Sequence, residues 1–402
     1  MNILLIHNFY QQPGGEDQVF RAEAALLEAH GHKVIRFQEH NEGVKQRSTV
    51  ELVTDTIWNR WTFRQLRTLI REGQVDLMHV HNTFPLISPA CYYAAGAEAI
   101  PVVQTLHNYR VICPSATLFR DGAVCEDCMG KRLPWPAVVH SCYRGSRSAT
   151  AAVAAMLTVH GTLGTWQRKV SAFIALTEFA RSKFIEGGLP EEKIFVKPNF
   201  LQEDPGCGYG DGGFVLFVGR LTEEKGIRTL LKAWSLSADL PPLEIIGDGP
   251  LAGDVAAAVS DNANIRWRGW LERDRVFERM KAAAAIVLPS LWYEAFPMTV
   301  VESFAMGVPV IASKLGSLAS LIDHERTGLH FEAGDADDLV RQIRWMGERP
   351  DEILAIRLAA RKEYLLKYTG ERNYLELRAI YDPLLKSTKG SVLEVAAETA
   401  AQ

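Results

Sequence analysis

Short apolar segments alternate with helical patterns from one end of this 402-residue chain to the other. In the first half, such segments cover residues 3–7, 34–37, 77–81, 101–106, 173–176 and 194–196; in the second half they cover residues 214–218, 243–246, 265–267, 286–288, 308–312 and 328–331. Apolar runs bounded by turn residues are typical of strands that are buried on both faces. Their alternation with helices requires parallel sheets and right-handed crossovers. The pattern therefore predicts an α/β fold.

The chain is longer than one hydrophobic core usually organises, so we expect two domains. Residues 199–213 form a turn-rich linker without apolar periodicity, which places the boundary near residue 200. We predict two Rossmann-like, doubly wound domains, 1–200 and 201–369, that face each other across a ligand-binding cleft. Residues 370–388 are predicted to form a helix that returns to the first domain, and 389–402 a flexible tail.

Composition excludes several classes of protein. The net charge of −4 is too small, and of the wrong sign, for a protein whose main partner is nucleic acid. No apolar run reaches the length of about 18 residues that a membrane-spanning helix needs. The first residues resemble a buried strand rather than a secretory signal. We therefore expect a cytoplasmic protein with reduced cysteines.

Two cations follow the first strand of the second half. That strand ends at Gly219, and Arg220 and Lys225 lie on the loop that leads into a helix. A diphosphate is bound by delocalised positive charge together with a helix N-terminus, and this segment offers both. The alternative is two solvated surface cations.

A second loop contains Gly247 and Gly249 and leads to Ala252, in the pattern Gly-x-Gly-x-x-Ala. The pattern is a weak match to a dinucleotide-binding loop, because no acidic residue about 20 positions on is placed to bind a ribose. The glycines more simply allow a tight turn from strand to helix. Gly247 is nevertheless a candidate donor-site residue.

The most specific feature is a pair of glutamates, Glu294 and Glu302, eight positions apart. Between them lie Phe296, Met298 and Thr299, near the predicted start of a helix. Loop amides and a helix N-terminus suit phosphate and sugar oxygens, and each carboxylate can accept hydroxyl hydrogen bonds. For Glu302 there is a structural alternative, because Thr299 and Glu302 have the spacing of a capping box.

The first half contributes two candidates. Gly14 and Gly15 follow the first strand, and consecutive glycines allow the backbone to approach a ligand closely. His107 lies at the end of a strand and faces the expected cleft. Taken alone, the glycines indicate a common turn and the histidine a structural residue.

Together these residues resemble the retaining glycosyltransferases of the GT-B fold, family four in the usual classification, and in particular bacterial members that build surface polysaccharides. The resemblance covers nearly the whole chain. It implies that Glu294 holds hydroxyls of the transferred sugar and that Glu302 holds the ribose diol. It implies that Arg220 and Lys225 bind the donor diphosphate.

The same resemblance places Gly14 and Gly15 under the donor phosphates and Trp270 where backbone groups meet the base. It makes His107 an active-site residue that orients the donor sugar. One departure concerns Pro297, which stands where many members have glycine and lacks the amide that would donate to the sugar.

The implied reaction moves a sugar from a nucleoside-diphosphate sugar to a glycan or lipid-linked glycan, with same-face attack by the acceptor hydroxyl. We expect no metal requirement in catalysis and no other cofactor, because no Asp-x-Asp pair occurs near the donor segments. The alternatives are a nucleotide-sugar epimerase, a phosphorylase, a NAD-dependent enzyme and a non-catalytic protein that binds sugar nucleotides.

Four cysteines, Cys113, Cys125, Cys128 and Cys142, lie within thirty residues of one another, and two of them form a Cys-x2-Cys pair. Four thiolates can close a tetrahedral structural zinc site. Buried thiols or a disulfide are the alternatives.

Residues 58–67 mix aromatic residues with arginines at helical spacing. Such a helix can lie on an anionic membrane, as a peripheral contact on its inner face. The alternative, which we favour, is an amphipathic helix that packs on its own domain.

Overall fold

The structure is a computed structural model that describes residues 1–11 and 14–400, with the backbone alone described for residue 45 and for residues 387–400. Its strands are β1 Asn2–Phe9, β2 Lys33–His40, β3 Leu77–Val80, β4 Val102–Thr105, β5 Phe119–Arg120, β6 Ala123–Val124, β7 Ala172–Ala175, β8 Ile194–Val196, β9 Val215–Val218, β10 Leu243–Ile246, β11 Ile265–Trp267, β12 Ala285–Leu288, β13 Val310–Ser313 and β14 Gly328–Phe331.

Helices connect these strands. They are α1 Gly15–Ala29, α2 Thr49–Ile57, α3 Arg60–Gly73, α4 Ala90–Ala97, α5 Trp135–Val139, α6 Arg147–Thr162, α7 Thr165–Lys169, α8 Glu178–Glu186, α9 Ile227–Leu236, α10 Ala252–Asp261, α11 Arg273–Ala282, α12 Met298–Met306, α13 Gly316–Leu321, α14 Ala336–Glu348, α15 Pro350–Lys367 and α16 Gly370–Ala400. Short 3-10 helices cover Asn41–Gln46, Glu191–Lys193 and Glu223–Lys225.

Two six-stranded parallel sheets form the framework. Their strand orders are β2-β1-β3-β4-β7-β8 and β11-β10-β9-β12-β13-β14, and β5 and β6 form a separate antiparallel hairpin. Each of the twelve predicted strands is present, so the predicted α/β fold with two doubly wound sheets is confirmed. The hairpin was not predicted, because its strands of two residues each carry no periodic signal.

The strand order of each sheet reverses once. The chain runs outward from β9 through β10 to β11 and then returns to the other side of β9 with β12; in the first sheet the reversal lies between β1 and β3. Loops that leave the carboxyl ends of the strands on either side of such a point diverge and leave space for a ligand. The loops after β1, β3, β9 and β12 are therefore the candidate ligand-binding loops.

The central strands are buried along their whole length, as parallel strands covered by helices on both faces should be. In the second sheet the side chains of β9 and β10 alternate between two apolar layers. Val215 and Phe217 belong to one layer, whereas Leu216 and Ile246 belong to the other. This double covering explains why the strands appear in the sequence as continuous apolar runs.

The chain divides into two compact units. The first comprises Met1–Ala116, Glu126–Asn199 and Gly370–Gln402, and the second comprises Thr117–Cys125 and Phe200–Thr369. Helix α16 belongs to the first unit, where the Tyr381 hydroxyl is hydrogen-bonded to His79 Nδ1 at 2.6 Å. The tail predicted for 389–402 lies outside the residues whose side chains are described. In the described part of the chain, every helix is too short or too polar to cross a bilayer.

Candidate functional site

The loops after β9 and β12 are locked together at the strand-order reversal of the second sheet. Gly226 has a φ of +72°, and a Cβ at this position would lie 1.7 Å from the Pro289 carbonyl oxygen. The Leu291 amide donates to the Glu224 carbonyl at 2.8 Å. Only glycine meets both the left-handed conformation and the close approach. This contact fixes the position of Lys225, next to Gly226, relative to the loop that carries Glu294.

Lys225 and Glu294 form an ion pair in this loop cluster. The Lys225 ammonium lies 2.6 Å from Glu294 Oε1, and the Ser290 hydroxyl donates to the same oxygen at 2.8 Å. Glu294 is 7% exposed, whereas Lys225 is about a quarter exposed and lies 5.6 Å from the centre of the Trp292 ring. Charge-assisted hydrogen bonds are the strong ones, so the pair is held in place before any ligand binds. The sequence indicated Lys225 and Glu294 separately, but neither their pairing nor Ser290.

Arg220 differs from Lys225 in its surroundings. Its side chain is exposed, and its guanidinium has no ion-pair or hydrogen-bond partner among the residues that the structure describes. The preceding Gly219 is held by a hydrogen bond from its amide to the Ile246 carbonyl at 3.0 Å. A positioned but unpaired guanidinium beside a paired lysine is suited to an anion with several oxygens.

Gly247 has a structural role that does not need a ligand. Its φ is +143°, and a Cβ would lie 1.9 Å from the Gly219 carbonyl oxygen. Its amide donates to the Gly269 carbonyl at 2.8 Å, which brings the backbone before Trp270 to this edge of the sheet. The Trp270 side chain is mostly exposed. The glycines of this loop thus serve the tight turn that the sequence suggested.

Helix α12 begins at Met298, with Pro297 as its N-cap residue and no side-chain cap. Thr299 therefore lies inside the first turn rather than at the cap, so the capping-box alternative for Thr299 and Glu302 is wrong. The first amides of the helix have no side-chain acceptor, and such a helix end favours an anion. Among its neighbours, Phe296 and Met298 pack on the core of the second unit.

Glu302 lies in the second turn of the same helix. Its Oε1 is 4.0 Å from the Arg273 guanidinium. Burial raises the pKa of the Glu302 carboxyl above its usual value, and Arg273 acts in the opposite direction. With the capping box excluded, this partly buried carboxylate has no structural task that its contacts explain.

In the first unit, the loop after β1 ends at Gly14, the N-cap residue of α1, and Gly15 opens the helix. A Cβ at Gly14 would meet no atom within 4 Å among the described residues, so the protein's own packing does not require glycine here. The Gly14 amide donates to Asp17 Oδ2 at 2.9 Å, and Asp17 Oδ1 contacts His7 Nε2 at 2.7 Å. The open space is consistent with close approach of a ligand to this backbone.

Glu16 lies directly after these glycines, and the sequence analysis missed it. Its two carboxyl oxygens accept from Asn82 Nδ2 and Asn108 Nδ2, each at 3.2 Å. Burial and then repulsion by Asp17 raise the pKa of Glu16 to about 8, against the hydrogen bonds from Asn108 and Tyr10. The group is therefore mostly a neutral carboxylic acid at pH 7. Its place after two glycines at a strand end was the available signal.

His107 is oriented by a second buried histidine. His81 Nδ1 lies 2.9 Å from His107 Nε2, and the two rings stack with centres 5.1 Å apart. Burial, and then the neighbouring His81, lower the pKa of His107 well below its usual value, so the imidazole is neutral. Glu23 Oε1 lies 3.2 Å from His81 Nε2 and 2.8 Å from His79 Nδ1, but neither contact has the angles of a hydrogen bond.

Lys197 lies 3.3 Å from the other oxygen of Glu23, so this buried carboxylate has a cationic partner. His79 lies on β3 and His81 follows the strand directly, two positions on, which was the sequence signal that the two side chains point to the same side.

The cysteines are divided between the units. Cys113, Cys128 and Cys142 belong to the first unit and Cys125 to the second. Cys113 is buried, with its sulfur 3.1 Å from the Ser115 hydroxyl. The zinc site stays a prediction.

Helix α3 includes most of the segment in which the sequence suggested a membrane contact. Trp58, just before it, packs on Tyr93 with ring centres 5.1 Å apart, and Arg67 lies over Phe63. Arg67 is also bonded to Glu98 at 2.6 Å. These contacts favour packing within the unit.

Comparisons with known proteins agree with this architecture. Residues 13–204 match the family described as Glycosyltransferase Family 4, and residues 208–363 match the family described as Glycosyl transferases group 1. An uncharacterized glycosyltransferase of Methanocaldococcus jannaschii is 32% identical over 154 residues, which are 37% of this chain and 38% of that protein. The amylovoran biosynthesis glycosyltransferase AmsK of Erwinia amylovora is 25% identical over 181 residues, 42% of this chain and 44% of that protein.

The matches to these two curated relatives thus span less than half the length of either. A solved structure of Anabaena HepE in complex with UDP-glucose is similar with a TM-score of 0.65 at 16% identity, over 97% of this chain and 100% of that one. At this identity the similarity establishes the fold.

Proposed function

Since the chain belongs to the glycosyltransferases of the GT-B fold, we propose that it moves a sugar from a nucleoside-diphosphate sugar to a glycan or lipid-linked glycan, with retention of configuration. The observation that carries this proposal is the Lys225–Glu294 pair, which lies at the strand-order reversal of the second sheet near Arg220, a guanidinium without a partner among the described residues. HepE, which shares the fold, binds UDP-glucose, and AmsK acts in amylovoran biosynthesis.

Positive charge at this edge of the sheet meets the main electrostatic demand of the reaction. When the sugar–phosphate bond breaks, negative charge grows on the leaving diphosphate. Arg220, Lys225 and the uncapped N-terminus of α12 would stabilise that charge without a metal ion, in fixed positions that need no reorganisation. These three groups would therefore hold the diphosphate.

The carboxylates would hold the two ends of the donor. Glu294 accepts from Lys225 and Ser290 through one oxygen, Oε1. Its Oε2 has no hydrogen-bond partner among the residues that the structure describes, so this oxygen would accept from sugar hydroxyls. Glu302 would accept from the ribose diol, and the backbone before Trp270 would meet the base. His107 keeps its proposed role toward the transferred sugar, with a neutral ring that can exchange hydrogen bonds with hydroxyls.

The reaction would follow same-face attack by the acceptor hydroxyl, whose proton passes to the departing phosphate. A nucleotide-sugar epimerase is the alternative with the same donor site. It would convert the donor when no acceptor is present, so product analysis of donor incubated alone separates the two.

A thermal-shift screen against UDP, GDP and ADP, with and without magnesium, tests the donor site. We expect one nucleotide to raise the melting temperature, equally with and without magnesium, because binding to the folded state stabilises it. Lys225→Ala should abolish the shift, and Arg228→Ala, an exposed change one turn away in α9, should preserve it. No shift with any nucleotide would refute the site. Zinc, proposed as a structural ion at the cysteines, is tested by metal analysis of the purified protein.

A further inference from the structure

Residues 128–177 contain no aspartate and no glutamate, although the chain as a whole has 48 acidic residues and a net charge of −4. The same fifty residues contain six basic ones: Lys131, Arg132, Arg144, Arg147, Arg168 and Lys169. None of the six forms an ion pair within the part of the chain that the structure describes. Arginines elsewhere are commonly paired, as Arg67 and Arg71 are with Glu98. The stretch thus carries a net positive charge that no acidic residue within it balances.

Large apolar side chains are exposed in this stretch. Leu133 is 53% and Trp135 56% exposed, while the neighbouring Pro134 and Pro136 are buried. A segment that only needed to close the core would bury leucine and tryptophan before proline. The buried prolines instead fix the segment so that Leu133 and Trp135 point outward. Exposed apolar groups beside basic ones mark an interaction surface.

The exposed groups are close together in space. Helix α5, which begins at Trp135, packs against α6. A cavity of about 300 Å³ has Lys131, Arg132 and Thr162 among its lining residues. Leu163, the C-cap residue of α6, follows directly and is also exposed. Lys131, Arg132, Leu133, Trp135 and Leu163 therefore form one surface, which we call the 131–163 face.

We propose that the 131–163 face binds the surface of a membrane that contains anionic phospholipids. Lysine and arginine near an anionic leaflet attract its headgroups, and tryptophan is favoured at the boundary between headgroups and acyl chains. A second copy of the chain fits less well, because two such faces would bring like charges together. The inference rests on the proposed function, in which the acceptor is a glycan or lipid-linked glycan. It deepens that function, because a membrane-bound enzyme would meet a lipid-linked acceptor at the membrane surface. It also places the membrane contact at the 131–163 face rather than at α3, where the sequence had suggested one.

Sedimentation of the full chain with lipid vesicles tests this surface. We expect binding to vesicles of phosphatidylcholine mixed equally with phosphatidylglycerol, little binding to phosphatidylcholine alone, and weaker binding at high salt. Reversal of both charges with Lys131→Glu and Arg132→Glu should lower the partition coefficient on the order of tenfold or more. Trp135→Ser should lower it as well. Trp61→Ser, an equally exposed tryptophan on α3, is the matched control and should not.

Two further measurements separate this inference from the proposed donor site. Each variant should keep the nucleotide-induced thermal shift measured without vesicles, which also shows that it is folded. Light scattering should show the same mass for the wild type and Trp135→Ser. Absence of binding to anionic vesicles, equal losses in Trp61→Ser and Trp135→Ser, or a dimer lost only in Trp135→Ser would each overturn the inference.

Discussion

Replacement of Glu294 by glutamine should raise the affinity for the nucleoside diphosphate while it slows sugar transfer. Most active-site changes weaken both together. Without a ligand, the Lys225 ammonium is bonded to Glu294 Oε1 at 2.6 Å. A diphosphate that binds Lys225 must therefore approach a carboxylate of its own charge. The transferred sugar, by contrast, would gain a charged acceptor for its hydroxyls. Glu294→Gln removes both effects while keeping the shape of the side chain.

The size of each effect follows from the geometry. A phosphate oxygen on the far side of the ammonium would lie about 5 Å from Glu294 Oε1, where two unit charges repel by about 3 kcal/mol at an effective dielectric constant of about 20. Because Lys225 is partly exposed, screening reduces this to about 1 kcal/mol, which is about a fivefold gain in affinity for the nucleoside diphosphate. Loss of a hydrogen bond to a charged group costs about 1.5–3 kcal/mol. The second-order rate constant for sugar transfer should therefore fall about ten- to hundredfold.

Isothermal titration with the nucleoside diphosphate and steady-state kinetics with the sugar conjugate measure the two effects. Glu363→Gln is the matched control, because Glu363 is equally buried in the same unit and paired with Lys367, in α15. It should change neither quantity. If Glu294→Gln instead weakened nucleoside-diphosphate binding as much as it slowed transfer, Glu294 would only support Lys225, and its assignment to the sugar would be refuted.

Three further substitutions test the framework of the two units. Gly226→Ala forces a left-handed alanine against the Pro289 carbonyl and should lower the free energy of unfolding by about 2 kcal/mol or more, measured by urea titration, and abolish the nucleotide-induced thermal shift. The pKa of Glu16 is raised to about 8, so the folded state binds this proton more tightly than the unfolded state and the free energy of unfolding should fall as pH rises toward 8. Glu16→Gln should flatten that dependence in urea titrations across this range. An unchanged slope would contradict the raised pKa of Glu16. Lys197→Met leaves the buried Glu23 without its cation and should cost about 3–5 kcal/mol, whereas a cost below about 1 kcal/mol would show that the histidines alone support Glu23.

The fold was predictable because buried parallel strands appear as short apolar runs, and twelve such runs became twelve strands. Boundaries were less accurate. The strand predicted for residues 3–7 covers Asn2–Phe9, and the helix expected after Lys225 begins only at Ile227, because Gly226 adopts a left-handed conformation after a 3-10 turn. The hairpin of β5 and β6 escaped prediction because two-residue strands have no period to detect.

The site was predictable as a set of residues but not as a set of contacts. Lys225 and Glu294 are 69 positions apart, and their pairing depends on how closely Gly226 approaches Pro289. No local pattern encodes that approach. The capping box failed for a different reason. Its spacing was correct, but α12 begins at Met298, so the threonine lies two residues past the N-cap position and cannot cap the helix.

Each unit places a carboxyl group in a loop beside the strand-order reversal of its sheet, and the two groups have opposite surroundings. Glu294 follows β12, and its Oε1 accepts hydrogen bonds from the Lys225 ammonium and the Ser290 hydroxyl. Glu16 follows β1 beside the acidic Asp17, and its own donors are neutral groups, two amides and the Tyr10 hydroxyl. A carboxyl group that faces a cation serves as an acceptor, whereas one that retains its proton near neutral pH can also donate. The chemical difference between these two glutamates thus comes from their neighbours rather than from the fold, and it is these neighbours that sequence patterns fail to identify.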